Sequence, residues 1–479
     1  MKVPPLARAA RVRYCKIMRP TVAVAAASLC ACGLVFGTEG IDATLGPPGT
    51  SSPTGTTGTT GTTGTTGTTA ATGTTVATGS SGTATGETTD PTGGTTTPPV
   101  ETCATQWSGL QSEGIPGTTV TALVPVTDDE QGSILVVGYT KGTLQLGCSS
   151  LTPSEQVGFV ARIGAKGECL QQVSVDVEGG TLLAADYLEA TGQVIVAGQR
   201  GSTDGLPPFL AVASLANLSF TPLKLAAAGL PVVRAVRFRD AGQVVAVGNC
   251  GPFGTSRLYL EIADPTDTST GVQLDCTLFP AMLYPADLVA RPDRVYIAGG
   301  YTGVLPGLPL QSEEFGQGVY VAEVLDGGGT TYAPVSDVVS VGAGDNDARK
   351  VVHLAWRDDR LAVAARTKAD GTKLGVVELD PATLSAGATV EVATGCASAY
   401  ASDLVAGPEG WYVGGGGKAS AAGCHVVARW DGKNQAEVLP LPLAGPVMGP
   451  RPQLATGCFG LAAATTSATT LYLERPMFP

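Results

Sequence analysis

Charge is scarce in this chain. Only 15% of its 479 residues are charged, against about 25% in ordinary globular proteins, which argues against long solvated helices laced with ion pairs. Aromatic residues make up 5% and there are two histidines, so a carbohydrate-stacking surface is poorly supplied and histidine-based acid–base or metal centres have little raw material. Positive charge is the rarer sign: 29 Lys and Arg stand against 41 Asp and Glu, for a net charge of −12. No nucleic-acid partner is expected, because phosphate binding needs a basic surface that releases counterions. Apolar residues recurring at helical spacing over ten or more residues are absent beyond residue 100. What is abundant is glycine, 65 residues, roughly twice the usual share of about 7% and suited to a chain with many tight turns.

The first forty residues carry an address. Lys2, Arg8, Arg11, Arg13, Lys16 and Arg19 precede the apolar run TVAVAAASLCA, Thr21–Ala31, with no acid among them. A basic segment followed by a short apolar one reads as an export signal, and the run is too short for a membrane-spanning helix of about 20 residues. Met18 is an alternative start, with Arg19 supplying the charge. Leu29-Cys30-Ala31-Cys32-Gly33 resembles the bacterial lipobox. By that resemblance residues 1–31 are a lipoprotein signal peptide and Cys32 becomes the lipidated N-terminus. Cys30 fits less well, since Leu29 would occupy a position that requires a small residue. Gly33 after the lipid cysteine implies sorting to the outer membrane, so the expected location is the cell envelope, lipid-anchored and open to surface exposure. The alternative is an ordinary cleaved signal with two incidental cysteines.

Residues 32–100 form an expected tether. Between Pro48 and Pro99 the chain is almost entirely Thr, Gly, Ser, Ala and Pro, with GTTGTTGTTGTT at its centre and only Glu87 and Asp90 charged. Nothing there offsets the entropy of ordering. A flexible coil of about 50 residues reaches roughly 40 Å.

From residue 101 to 479 the sequence repeats. A polar turn, a short apolar strand and a small closing residue recur as SILVVG, QVIVAG, QVVAVG, RVYIAG, RLAVAA, GWYVGG and a degraded GLAAAT, ending at Gly138, Gly198, Gly248, Gly299, Ala365, Gly415 and Thr465. The intervals are 60, 50, 51, 66, 50 and 50 residues. Each copy has a preceding apolar segment, such as ADLVARPD from Ala286 or SDLVAGPE from Ser402, and a following one, such as GFVARIG from Gly158 or LGVVELD from Leu374. These short runs, bounded by Gly, Pro and Asp, are the pattern of strands joined by hairpins. A weaker fourth strand follows in six copies, for example CLQQVSVDV from Cys169, but the seventh copy ends at Glu474 without one. The unassigned segment Cys103–Leu110 supplies the missing strand if the repeats close into a ring. The expected fold is therefore all-β: a seven-bladed β-propeller of four-stranded antiparallel blades, the N-terminal strand completing the last blade. Closure leaves only short sheet edges. A ring of six or eight blades and an open solenoid are the alternatives.

VYIAGGYTG, Val295–Gly303, resembles the second strand of a Kelch blade, and VVELDPATL, Val376–Leu384, its third. With GFVARIGAKGECL, Gly158–Leu170, the unit is more similar still to bacterial β-propeller repeats. The sequence departs from Kelch in lacking the Gly-Gly doublet in most copies and the tryptophan after the third strand, and from WD repeats in having no Trp-Asp closing each blade; no copy shows the Asp box of sialidases. The resemblance implies a fold and no single activity.

Eight cysteines fall in the repeat region, and in an exported domain an even number reads as disulfides. Topology favours Cys250 with Cys276 and Cys396 with Cys424. Elimination leaves Cys148 with Cys169 and Cys103 with Cys458. Free buried thiols are the alternative. No spacing of Cys and His suits a metal, and no cofactor motif occurs. Asp345, Asn346 and Asp347 read as turn residues rather than a calcium loop. His353 and His425 sit in no catalytic motif and are expected to be satisfied core or channel histidines. Asp128-Asp129, Glu313-Glu314 and Asp358-Asp359 read as solvated turns, and Trp107, Trp356, Trp411 and Trp430 as blade packing. The long loops Tyr139–Val157 and Gly300–Gln317, with the connection Val341–Arg349, mark one face as the working face. The expected protein is a monomeric, non-catalytic binding or scaffold module taking a protein or glycan on that face. A propeller hydrolase or lyase acting on polysaccharide, or a purely structural envelope protein, is the alternative. An enzyme would bring two or more carboxylates together with an Arg, Lys or His at the channel mouth. A structural protein would have no pocket of ligand size.

Overall fold

A computed structural model describes residues 110–476, apart from 114–116, 128–131, 176–179, 201–207, 224–231, 240–241, 251–256, 264–271, 275–281, 306–317, 326–328, 341–350, 418–423, 442–451, 467–469 and residues 397, 434 and 458. The chain separates into two units, Met1–Gly94 and Thr95–Pro479. The first, with Cys32 and the Thr/Gly tract, lies outside the described residues.

Among the described residues every regular element is a strand, except one 3-10 turn at Glu189–Thr191. Antiparallel pairing gathers the strands into four-stranded groups. The first runs from an inner strand, Thr119–Pro125, through Ile134–Thr140 and Val157–Ile163 to an outer strand, Cys169–Val175. Groups two to six span residues 181–222, 232–274, 282–339, 353–393 and 399–440. Group seven has three consecutive strands, Gln453–Gly457, Gly460–Thr466 and Thr470–Glu474, and its fourth is Leu110–Glu113. Leu110 opposes Leu473 and Glu113 opposes Thr470. The N-terminal strand thus completes the last blade; of the expected Cys103–Leu110 only Leu110 is among the described residues, and the strand runs on through polar Gln111, Ser112 and Glu113, held by backbone pairing with the third strand of blade seven. Groups four and five are also joined, because Thr330–Val339 breaks register with its partner before Val339, and Val338 and Val339 also pair with Thr367 and Arg366.

Inner strands of successive groups lie against one another, and that of group seven lies against that of group one. The cycle closes, and the architecture is a β-propeller with the four-stranded groups as blades. Its cores sit between blades. Ile134 and Val136 belong to the core shared with Ala462 and Leu473 of blade seven, while their neighbours Leu135 and Val137 belong to the one shared with Leu182 and Val194 of blade two. Both faces of the strand are covered, so it reads as an unbroken apolar run rather than an alternation. Each side chain so buried contributes about 1.5–3 kcal/mol.

The closing glycine of the repeat has a steric cause. The inner strand carries a bulge at the same place in five blades, between Val120 and Ala122 in blade one and between Leu182 and Ala184 in blade two, for example. The bulge swings a carbonyl over the glycine opposite: a Cβ on Gly138 would lie 2.0 Å from the Thr119 carbonyl oxygen, and one on Gly198 only 1.9 Å from that of Thr181. At the other face, Asp358 and Asp359 form the turn between the first two strands of blade five, with φ of 47° and 56°. That is the left-handed geometry a two-residue hairpin requires.

Candidate functional site

The bulge defines a ring of equivalent positions around the axis. The residue after it is Ala122, Ala184, Ala235, Asp287 and Asp403 in blades one, two, three, four and six. Register places His353 and Gln453 at the same position in blades five and seven, opposite Ala364 and Ala464. These residues wall a central cavity of about 440 Å³ lined by all seven inner strands. The ring lies near the start of each inner strand. This is the face that also carries the loops between second and third strands, since Thr119 opposes Tyr139 and Thr140 opposes Val157.

An inner strand is a sheet edge, and its amides facing the axis need partners. The carboxylates supply them across blade boundaries. Asp287 accepts from the Leu288 amide at 2.8 Å through Oδ1 and from the Leu354 amide of blade five at 3.1 Å through Oδ2. Asp403 repeats the arrangement, accepting from Leu404 at 2.8 Å and from Leu454 of blade seven at 2.7 Å. Asp186, two positions deeper in blade two, accepts from the Phe238 amide of blade three at 2.6 Å.

Charge is distributed unevenly among them. Arg237 Nη2 lies 3.2 Å from Asp287 Oδ1, with a third of the arginine side chain still accessible. His353 Nδ1 is 3.8 Å from Asp287 Oδ2. Burial works to raise the pKa of Asp287, but Arg237 and then His353 outweigh it and hold the group below the ordinary carboxylate value. Burial likewise opposes the charge on Arg237, yet Asp287, Asp186 and Asp403 together raise its pKa. For Asp403 and Asp186 burial prevails and the pKa is raised. Among the described residues neither of these two has a cation at ion-pair distance.

The other end of the inner strands is tied by arginines. Arg239 donates to the carbonyls of Arg291 and Pro292, and Arg357 donates to that of Pro408. The Arg291 guanidinium stacks 4.7 Å from the Trp356 ring.

Several sequence expectations can be placed. Cys148 and Cys169 form a disulfide, which ties the loop Tyr139–Val157 to the start of the outer strand, beside Ile163 and at the end of the blade away from the loop's own roots, with Leu144 and Leu151 paired inside the loop. Cys396 is disulfide-bonded; the side chains of Cys250 and Cys424 lie outside the described residues, as do Cys103, Cys276 and Cys458. The connection with Asp345, Asn346 and Asp347 also lies outside them, as do Asp128-Asp129, Glu313-Glu314 and Trp107. Trp411 is buried in blade six and donates to Glu378 of blade five at 2.7 Å. His353 faces the cavity. His425 departs from expectation: it is buried, but among the described residues neither ring nitrogen has a hydrogen-bond partner. Among the described residues no three metal-ligating side chains converge.

Asp186, Arg237, Asp287 and Asp403 were not singled out by motif reasoning. The signal was present: ADLVA and SDLVA carry the same aspartate at the same point of the repeat.

No family description matches this chain, and no curated protein matches it. Among solved structures it is similar to YCF48 bound to D1 peptide, at 11% identity and a TM-score of 0.44 over 78% of this chain and 96% of the other. It is similar to the β-propeller domain of the Trilobed protease from Pyrococcus furiosus, at 9% identity and a TM-score of 0.43 over 75% and 96%. A chain of the mitotic checkpoint complex gives 11% identity and 0.44 over 78% and 96%. These similarities bear on neither ligand nor activity.

Proposed function

We propose that the chain is a lipid-anchored cell-envelope protein, held through Cys32, whose β-propeller binds a protein or glycan ligand at the loop face without chemical turnover and receives a cationic group of that ligand in the axial cavity. The observation that carries this reading is Asp403, a desolvated carboxylate on the cavity wall with no cation at ion-pair distance among the described residues. Buried charges are ordinarily paired. The carboxylates also spend both oxygens on backbone amides, which suits a fixed electrostatic wall better than a proton-transfer group. A cavity of about 440 Å³ lies within the size range of ligand pockets and speaks against a purely structural role. Fluorescence anisotropy with labelled hexalysine and hexaglutamate tests the reading: hexalysine binds and weakens with added salt, hexaglutamate does not bind. Equal binding of the two removes it. Labelled palmitate entering the wild-type chain but not Cys32→Ser tests the anchor.

A second reading, a hydrolase or lyase acting on polysaccharide, is favoured by the convergence of Asp287, Asp403, His353 and Arg237 on one cavity. It requires turnover of a polysaccharide that Asp287→Asn and His353→Ala both abolish.

A further inference from the structure

His425 occupies a position that carries a buried apolar side chain in four other blades and is Gly158 and Pro208 in blades one and two. Register equates it with Leu258, Val319, Leu374 and Leu471 of blades three, four, five and seven. Each of those is buried and joins the core shared with the following blade. In blade six the same position offers an imidazole to the boundary with blade seven, 4% exposed, opposite Gly416, with neither nitrogen partnered among the described residues. The described core of that boundary includes Tyr412, Val427, Leu454, Leu461 and Ala463, with Val405 and Leu441 packed against it.

Among the described residues, charge nearby does not compensate. Residues 453–466, the inner and second strands of blade seven, contain no charged side chain. On blade six, Asp403 lies on the inner strand and faces the axial cavity, and Arg429 is paired with Glu409 and Glu437. Glu474 is on the third strand of blade seven, and Lys418 and Arg451 belong to connections outside the described residues. Burial alone lowers the imidazole pKa, to about 4.

We propose that His425 is an acid-operated release in the ring: its protonation puts a charge into the apolar core between blades six and seven, and that boundary opens before any other. The consequence reaches the axis, because Asp403 of blade six is bonded to the Leu454 amide across this boundary. Opening it dismantles one wall of the cavity, whatever ligand the cavity holds.

The sign follows from linkage. A histidine whose folded pKa lies below its unfolded value of 6.5 binds protons more weakly when folded, so the closed boundary loses stability as pH falls from about 6.5 toward 4. Hydrogen–deuterium exchange of the full chain, corrected for intrinsic rates, reads this boundary through peptides covering 410–417 and 460–466, with 134–140 as reference. Between pH 7 and 4.5 the opening constant of the first two rises on the order of 50- to 100-fold in wild type. In His425→Leu, and in His425→Gln should the leucine variant not fold, it rises less than about threefold, the expectation for a group that no longer titrates. An equal acid rise in either variant, or a reference segment that opens as readily, overturns the proposal. So does a wild-type NMR titration placing the His425 midpoint near 6.5, a signal easily assigned in a chain with two histidines.

Discussion

At one ring position blades one to three carry Ala122, Ala184 and Ala235, while blades four to six carry Asp287, His353 and Asp403. The backbone is alike on both sides, down to the bulge that precedes five of the six residues. A methyl group therefore satisfies the fold. The polar side of the axis has been given something the fold does not demand, and each aspartate there bridges two blades while leaving a charge on the cavity wall.

This contrast can be broken by substitution. Asp287→Ala leaves Arg237 without its ion partner and the Leu354 amide without an acceptor; it destabilises the propeller by about 3 kcal/mol, read as a lower urea midpoint. Asp403→Ala removes two amide acceptors but strands no paired cation, so the same measurement gives about 1–2 kcal/mol. Ala122→Ser on the apolar side changes stability by less than about 0.5 kcal/mol. A loss at Asp403 equal to that at Asp287 would mean that the ion pair with Arg237 contributes nothing.

Much of the fold was legible because the repeat is enforced by geometry that recurs. SILVVG and its counterparts are apolar throughout since both faces meet a neighbouring blade, and they end in glycine where the bulged strand crowds Gly138 and Gly198. The closing strand was legible only as an unassigned N-terminal segment, because Gln111 and Glu113 carry no apolar signature. The site was less visible. Asp287 and Asp403 sit in short strands among apolar neighbours, where a lone aspartate has no motif. Only superposing the repeats shows that they share a position and that their carboxylates meet amides from the next blade. His425 was misread for a related reason: a buried histidine is normally hydrogen-bonded, and only the register shows it standing where Leu374 and Leu471 stand.

The central claim is that the polar side of the axis is a binding wall for a cation. The Kd of labelled hexalysine, measured by anisotropy at pH 7 and low salt for wild type and Asp403→Asn, tests it most directly, since asparagine removes the charge while its one carbonyl oxygen still accepts from one of the two backbone amides. Asp403→Asn is predicted to bind at least tenfold more weakly, as the loss of a charge-assisted contact of about 1.5–3 kcal/mol implies. Wild-type binding should fade on acidification before Asp287 titrates, because burial raises the pKa of Asp403 while Arg237 holds that of Asp287 down. Equal affinity of the two proteins for hexalysine would contradict the account.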